Sequence, residues 1–70
     1  MTILNHVFEN SSMLASASYD TETEELTVTF TNGKPYTYID VSRRHYDELI
    51  DSKSAGRYFN LLKVGLAQKQ

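Results

Sequence analysis

The sequence predicts a small α+β domain, in which a three-stranded antiparallel meander carries two short C-terminal helices packed on one face. Between residues 13 and 41 the hydrophobic residues recur with a period close to two, which is the pattern of half-buried strands. After residue 41 they recur every three or four residues, as in amphipathic helices. With 70 residues and no cysteine, the chain has room for one core and no disulfide to reinforce it.

Three strands account for the period of two. In the first strand Met13, Ala15, Ala17 and Tyr19 alternate with Leu14, Ser16 and Ser18. In the second strand Leu26, Val28 and Phe30 form an apolar face that is backed by threonines. Residues 36–41 carry apolar bulk on both faces. We therefore expect helices to cover one face of the sheet and to leave the other face only partly covered.

Both connections between strands are short. Asn32-Gly33 lies between the second and third strands and tolerates positive φ at both central positions of a type I′ turn, so a tight hairpin of that type is predicted. The polar segment 20–25 joins the first and second strands and is too short for a crossover helix. Both strand pairs are therefore predicted to be antiparallel.

Two helices are predicted after the sheet. Ser42 is a suitable N-cap for the first helix, and Ser52 or Ser54 for the second, which ends near Gly65. Each helix has one apolar stripe, and the apolar face of the sheet is the only partner large enough to cover both.

The chain is predicted to form one domain with a short segment at each end. Residues 1–10 are expected to be an arm or a short helix, residues 11–66 the domain, and residues 67–70 a polar tail. The first eight residues contain no basic segment and no long apolar run, so the sequence predicts neither a signal peptide nor a membrane span. We accordingly expect a cytoplasmic protein without a membrane partner.

An enzymatic function is not predicted. The two histidines, His6 and His45, do not occur in a metal-ligand spacing. A nucleophile, a base and an orienting group would need a pocket that a domain of this size can hardly enclose. The acidic segment 20–25 lacks the glycine and the ligand spacing of a calcium loop. The sequence thus predicts no catalytic residue, no metal and no cofactor.

Several short motifs carry a family resemblance. The most specific are the central Tyr36-Thr37-Tyr38 and the block Gly56-Arg57-Tyr58-Phe59-Asn60, and Ser11-Ser12-Met13 agrees with them. Together they resemble the KTSC domain, a small family named for its occurrence at the C-terminus of some lysyl-tRNA synthetases and also found as free-standing bacterial and phage proteins. The resemblance covers about residues 11–62. It implies the fold, and it brings RNA binding as the activity proposed for the family.

Charge is distributed unevenly along the chain, which has a net charge of −2. Residues 1–51 hold three basic and nine acidic groups, whereas residues 52–70 hold four basic groups and no acidic one. The basic end could contact phosphates, although four cations are also compatible with an ordinary solvated helix face.

The first functional hypothesis is a small non-enzymatic module that binds RNA or another nucleic acid. Arg57, Asn60 and Lys63 would contact phosphates or bases, and Tyr36 and Tyr38 would stack on unpaired bases. For the two tyrosines the alternative is a structural role in the core of the hairpin.

The second hypothesis is an acidic protein-binding regulator or inhibitor of the phage or prophage type, which occupies a basic surface on a host nucleic-acid-handling protein. The acidic residues Asp20, Glu22, Glu24 and Glu25 would then form the contact. Under either hypothesis we expect a monomer or a small homo-oligomer.

Overall fold

The computed structural model describes residues 2–9, 11–65 and 67–68, and in this part of the chain two helices pack on an antiparallel sheet. The strands, in their order across the sheet, are β1 (Ile3–Val7), β2 (Leu14–Asp20), β3 (Glu25–Phe30), β4 (Pro35–Ile39) and β5 (Ala67–Gln68). The helices are α1 (Arg43–Asp51) and α2 (Ala55–Leu62), and a 3₁₀ turn at Lys63–Gly65 follows α2. The α+β class with two helices is confirmed. The prediction of three strands is wrong, because β1 and the two-residue β5 extend the meander at its two edges.

Strand β1 lies where a short helix or an arm was expected. It pairs antiparallel with β2, from Ile3 opposite Asp20 to Val7 opposite Ser16. Its residues alternate between exposed and half-buried. The helix expectation for this segment is wrong because the pairing with β2 determines its structure.

Residues 67–68, expected to belong to a polar tail, pair with Tyr38 and Ile39 of β4. Residues 69–70 of that tail lie outside the described residues.

The core lies between the sheet and the helices. In β2 the pairing with β3 shifts by one residue between Leu14 and Ser16. Such a β-bulge adds one residue to a strand and reverses the alternation of its side chains at that point. Leu14 is therefore buried together with Ala17 and Tyr19, although strict alternation would place it on the opposite face. The buried hydrophobic residues are Leu14, Ala17, Tyr19, Leu26, Val28, Tyr38, Val41, Tyr46, Leu49, Ala55 and Phe59.

The loop of the hairpin between β3 and β4 consists of residues 31–33, which lie between the hydrogen-bonded residues Phe30 and Lys34. The N–H of Phe30 donates to the carbonyl of Lys34 at 3.0 Å, and the N–H of Gly33 donates to the carbonyl of Phe30 at 2.9 Å. Gly33 has a φ of 87°, whereas Asn32 does not have a positive φ. The predicted type I′ turn is therefore wrong, and the loop belongs to the class that ends with one glycine in the left-handed region.

The β2–β3 turn is joined to the β4–α1 connection. Glu24 and Asp40 both have left-handed backbones, with φ of 59° and 57°. The N–H of Val41 donates to the carbonyl of Glu24 at 2.9 Å, and the hydroxyl of Tyr19 donates to the carbonyl of Val41 at 2.6 Å. The Tyr19 ring also stacks on Tyr46 of α1 with 5.4 Å between ring centroids. These contacts fix the point at which the chain leaves the sheet and enters α1.

Candidate functional site

The acidic and basic segments of the sequence also lie apart in the folded structure. The acidic β2–β3 turn lies at one end of β2, and the β1–β2 connection lies at the other. Since β2 has seven residues, about 20 Å separates the two ends. The connection between α1 and α2, with Lys53, lies at the second end together with residues 11–13.

A groove of about 570 Å³ opens at this second end. Its walls are the end of β1 with the β1–β2 connection, the α1–α2 connection, and the exposed side of the first turns of α2. We call this cavity the basic groove. The polar and charged residues that line it are His6, Glu9, Ser11, Ser12, Ser52, Lys53, Ser54, Arg57 and Asn60.

The cations of the groove differ from those of α1 in their partners. Arg43 forms an ion pair with Asp47 at 3.2 Å, and Arg44 forms one with Glu48 at 3.5 Å. The side chains of Lys53 and Arg57, by contrast, make no ion pair or hydrogen bond with another described residue. The positive charge of α1 is therefore largely compensated within the helix. Among the described residues that line the groove, Glu9 is the only acidic one.

A close contact between α2 and the β1–β2 connection shapes one wall of the groove. A Cβ at Gly56 would lie 3.1 Å from the Cβ and 3.3 Å from the Sδ of Met13. The amide of Asn60, one helical turn further on, lies 3.8 Å from the same sulfur. Phe59, between them in sequence, is buried in the core. The segments 11–13 and 56–60, which are distant in sequence, thus meet at one wall.

Serine side chains hold the loops that border the groove. The Oγ of Ser11 accepts hydrogen bonds from the N–H of Leu14 at 3.0 Å and of Met13 at 3.3 Å. The Oγ of Ser52 accepts one from the N–H of Ser54 at 3.2 Å. In these bonds each serine acts as acceptor, so its hydroxyl hydrogen is left to donate to a ligand. The arrangement therefore places two cations, an amide and serine hydroxyls around a space that suits an anionic group.

A second groove, of about 440 Å³, lies between the two helices. Arg44 and Glu48, which form an ion pair, line it together with Tyr58, Leu61 and Leu62. Burial raises the pKa of the Tyr58 phenol, and the adjacent Glu48 carboxylate raises it further. This groove is largely apolar, and its charges compensate each other.

The structure brings together only part of the predicted nucleic-acid site. Arg57 and Asn60 line the basic groove, whereas Lys63 is exposed at the C-cap of α2 and is not one of the lining residues. Lys53 also lines the groove and is not among the site residues predicted from the sequence. The only signal for it is a cation between two serines in a short link between helices.

The two tyrosines of the predicted site lie on the helix-covered face of the sheet. Tyr38 is 7% exposed, and its ring meets the ring of Phe59 edge-on at 5.5 Å. The expectation that Tyr38 stacks on a base is wrong because its ring belongs to the core. Tyr36 is half-buried and packs on Phe30 with 5.2 Å between centroids. A stacking role for Tyr36 stays a prediction.

The acidic residues of the alternative site lie in or beside the β2–β3 turn. Asp20 stabilises this turn, since its carboxylate accepts hydrogen bonds from the N–H of Glu22 at 2.9 Å and of Thr23 at 3.3 Å. The bond from Glu22, and then that from Thr23, lower the pKa of Asp20 below its usual value. Glu22 and Glu24 are exposed, and Glu25 is half-buried at the start of β3.

Comparison with known proteins identifies the family. The profile of the KTSC domain matches residues 10–62, which is more than half of the chain. The chain belongs to the KTSC domain family. A protein of Tsukamurella paurometabola is 36% identical over 50 residues, which cover 71% of this chain and 75% of that protein.

The crystal structure of a KTSC domain protein from Yersinia pestis has the same fold. It superposes with a TM-score of 0.86, covers 99% of this chain and 97% of that one, and shares 23% sequence identity. The central tyrosine pair packs on the helix side of the sheet, and the block 56–60 supplies a core ring, a close contact and one wall of the groove.

Within residues 2–9, 11–65 and 67–68, no group of three or more His, Asp or Glu is placed to hold a metal ion. Neither α1 nor α2 is long and apolar enough to cross a membrane.

Proposed function

We propose that this KTSC domain is a non-enzymatic module that binds RNA, and that the basic groove holds the phosphate backbone. The observation that carries the proposal is the placement of Lys53 and Arg57 at one groove, with no ion pair to another described residue. The guanidinium of Arg57 can donate two parallel hydrogen bonds to one phosphate. Lys53 adds a mobile positive charge, and Asn60 and the serine hydroxyls add neutral donors.

The net charge of the chain sets the expected strength of binding. Since the protein is negative overall, the attraction is local to the groove and the affinity is modest. Two phosphate contacts on single-stranded RNA predict that log K falls with log salt concentration at a slope of about −1.4. A third contact, through Lys63, would steepen the slope to about −2.1.

Fluorescence anisotropy with a labelled single-stranded RNA, measured over a series of salt concentrations, tests the proposal. Arg57→Gln should weaken binding to different RNA sequences similarly and reduce the slope by about 0.7. Arg43→Gln is a matched control, because it makes the same change in charge on an exposed helix position outside the groove. Equal losses for the two variants would show that only the net charge matters, and the groove would then not be the site.

A second candidate function is supported by the exposed acidic turn at the opposite end of β2. Glu22 and Glu24 lie there in a solvent-exposed position that can steer encounter with a basic protein surface. Replacing Glu22, Glu24 and Glu25 by lysine should slow association with such a partner strongly at low salt. A partner captured from lysate whose association rate is unchanged by these replacements would contradict the candidate.

A further inference from the structure

Strand β1 forms one edge of the sheet, and its outer side carries backbone groups without a partner among the described residues. The N–H of Thr21, in the β2–β3 turn, donates a hydrogen bond to the carbonyl of Thr2 at 3.0 Å. The N–H of Phe8 donates one to the carbonyl of Ala15 in β2 at 2.9 Å. Successive residues of an antiparallel edge strand direct these groups alternately toward and away from the neighbour. The N–H and carbonyl groups of Ile3, Asn5 and Val7 therefore point outward.

The edge lacks the features that usually prevent pairing with another strand. No proline and no Lys, Arg, Asp or Glu occurs in residues 3–7, and no bulge interrupts the pairing of β1 with β2. Ile3 is 44% exposed and Val7 is 67% exposed. Both lie on the face of the sheet opposite to the helices, because the alternate residue Leu4 packs against the core.

We propose that β1 pairs with β1 of a second copy of this chain, antiparallel and around a two-fold axis at Asn5. In this register Asn5 lies opposite its own copy, and Ile3 lies opposite Val7 in both directions. The outward groups of these residues then complete six backbone hydrogen bonds. Each Ile3–Val7 pair brings two exposed apolar side chains together on one face. The same surface serves both copies, as a closed two-fold dimer requires.

The charge distribution favours this pairing independently of the proposed RNA binding. The acidic β2–β3 turn lies beside the start of β1, since Thr21 bonds to Thr2. The basic groove lies beside the end of β1, where Phe8 and Glu9 line it. Antiparallel pairing sets the acidic end of each copy toward the basic end of the other. The dimer should therefore weaken as salt concentration rises.

The small size of the contact sets its strength. Two five-residue strand edges bury much less than the roughly 1,200 Å² of a stable specific interface. The dimer is therefore weak and depends on concentration. Sedimentation velocity from micromolar to millimolar protein should show the mass rising from 8.0 kDa toward about twice that value, without larger species.

Two variants test the register of the edge. Asn5→Pro removes an outward N–H without touching the bonds from β1 to β2, and proline is tolerated on edge strands. Val7→Lys places a charge on the same edge. Both should raise the dissociation constant at least about tenfold, while Leu61→Lys, at a 75% exposed position on α2, should not. Circular dichroism confirms that each variant is folded.

A single cysteine gives a direct measure of the pairing. The chain contains no cysteine, and directly opposite residues that exchange hydrogen bonds have Cα atoms about 5.5 Å apart, which a disulfide can span. Under mild oxidation Asn5→Cys should form a covalent dimer at least about tenfold faster than Leu61→Cys. Equal rates for the two cysteine variants, a wild-type protein that stays monomeric at millimolar concentration, or a dimer that Asn5→Pro leaves intact would each overturn the proposal.

Discussion

Replacing Tyr19 by phenylalanine removes one hydroxyl and should lower the free energy of unfolding by about 1–3 kcal/mol. That hydroxyl donates to the carbonyl of Val41 at 2.6 Å, and both residues are buried. The substitution leaves a buried carbonyl without its partner and keeps the ring contact with Tyr46. The loss therefore measures the hydrogen bond that ties β2 to the entry of α1.

Urea denaturation followed by circular dichroism measures this loss. A chain of 70 residues has a total stability of about 3.5–10 kcal/mol, so the effect is a large fraction of it and lowers Tm by about 4–8 °C per kcal/mol. Tyr36→Phe is the matched control. The hydroxyl of Tyr36 forms no hydrogen bond with another described residue, and its removal should change stability by less than about 0.5 kcal/mol. Equal losses for the two variants would refute the reasoning.

The pKa of the Tyr19 phenol determines how stability should depend on pH in the alkaline range. Burial, together with the charge of Glu24, raises the pKa of Tyr19 in the folded state. The unfolded chain loses this proton near pH 10, whereas the folded chain keeps it. The contribution to stability is therefore fully present below about pH 10 and is lost as the pH rises toward the folded pKa. Between about pH 10 and the folded pKa, the free energy of unfolding of Tyr19→Phe should fall less than that of the wild type. Equal declines would show that Tyr19 is not the group responsible.

Three further substitutions test the fold through chemical denaturation. Gly33→Val should lower stability by about 1 kcal/mol or more, because a β-branched residue is strained at a φ of 87° even though the space around it is open. An unchanged denaturation midpoint would show that residue 33 does not have a left-handed backbone. Phe59→Ala should lower it by about 3–5 kcal/mol, since its ring is fully buried; a loss below about 1 kcal/mol would place that ring outside the core. Gly56→Ala should destabilise despite the better helix propensity of alanine, because the added Cβ meets the Cβ of Met13 at 3.1 Å; a gain in stability would show that the β1–β2 connection yields easily.

The elements predicted correctly are those with a strong local pattern. Strand β3 alternates Leu26 and Val28 with threonines, and both apolar residues are buried as expected. The starts of the helices follow Ser42 and Ser54, although neither side chain forms a capping hydrogen bond. Periodicity was sufficient here because each apolar stripe is continuous and long enough to exclude the other element type.

The incorrect predictions concern features that depend on pairing between distant segments. Ile3, Leu4, Val7 and Phe8 fit a helix by spacing, and only the neighbouring β2 makes the segment a strand. The bulge that buries Leu14 and the two-residue β5 also exist only through their partner strands. Local sequence carries no signal for such partners.

In the candidate site, too, local spacing could be predicted from the sequence, whereas contacts between distant segments could not. Arg57 and Asn60 could be placed together because they lie three residues apart on one helix. Lys53 lies in the link before α2, where helix spacing does not fix its position, and only the structure shows that it lines the same groove. Sequence position alone also could not decide whether the Tyr38 ring faces solvent or Phe59, since strand alternation fixes the face and not what covers it.

The most direct test of the central claim is a titration of ¹⁵N-labelled protein with a short single-stranded RNA, followed by amide chemical shifts. If the basic groove binds the phosphate backbone, the largest shifts should cluster in residues 11–13, 52–57 and 60, and they should diminish as salt is added. Amides of the acidic turn at residues 20–25, about 20 Å away along β2, should not shift. Shifts that appear mainly in that turn, or no shifts at millimolar RNA and low salt, would contradict the account.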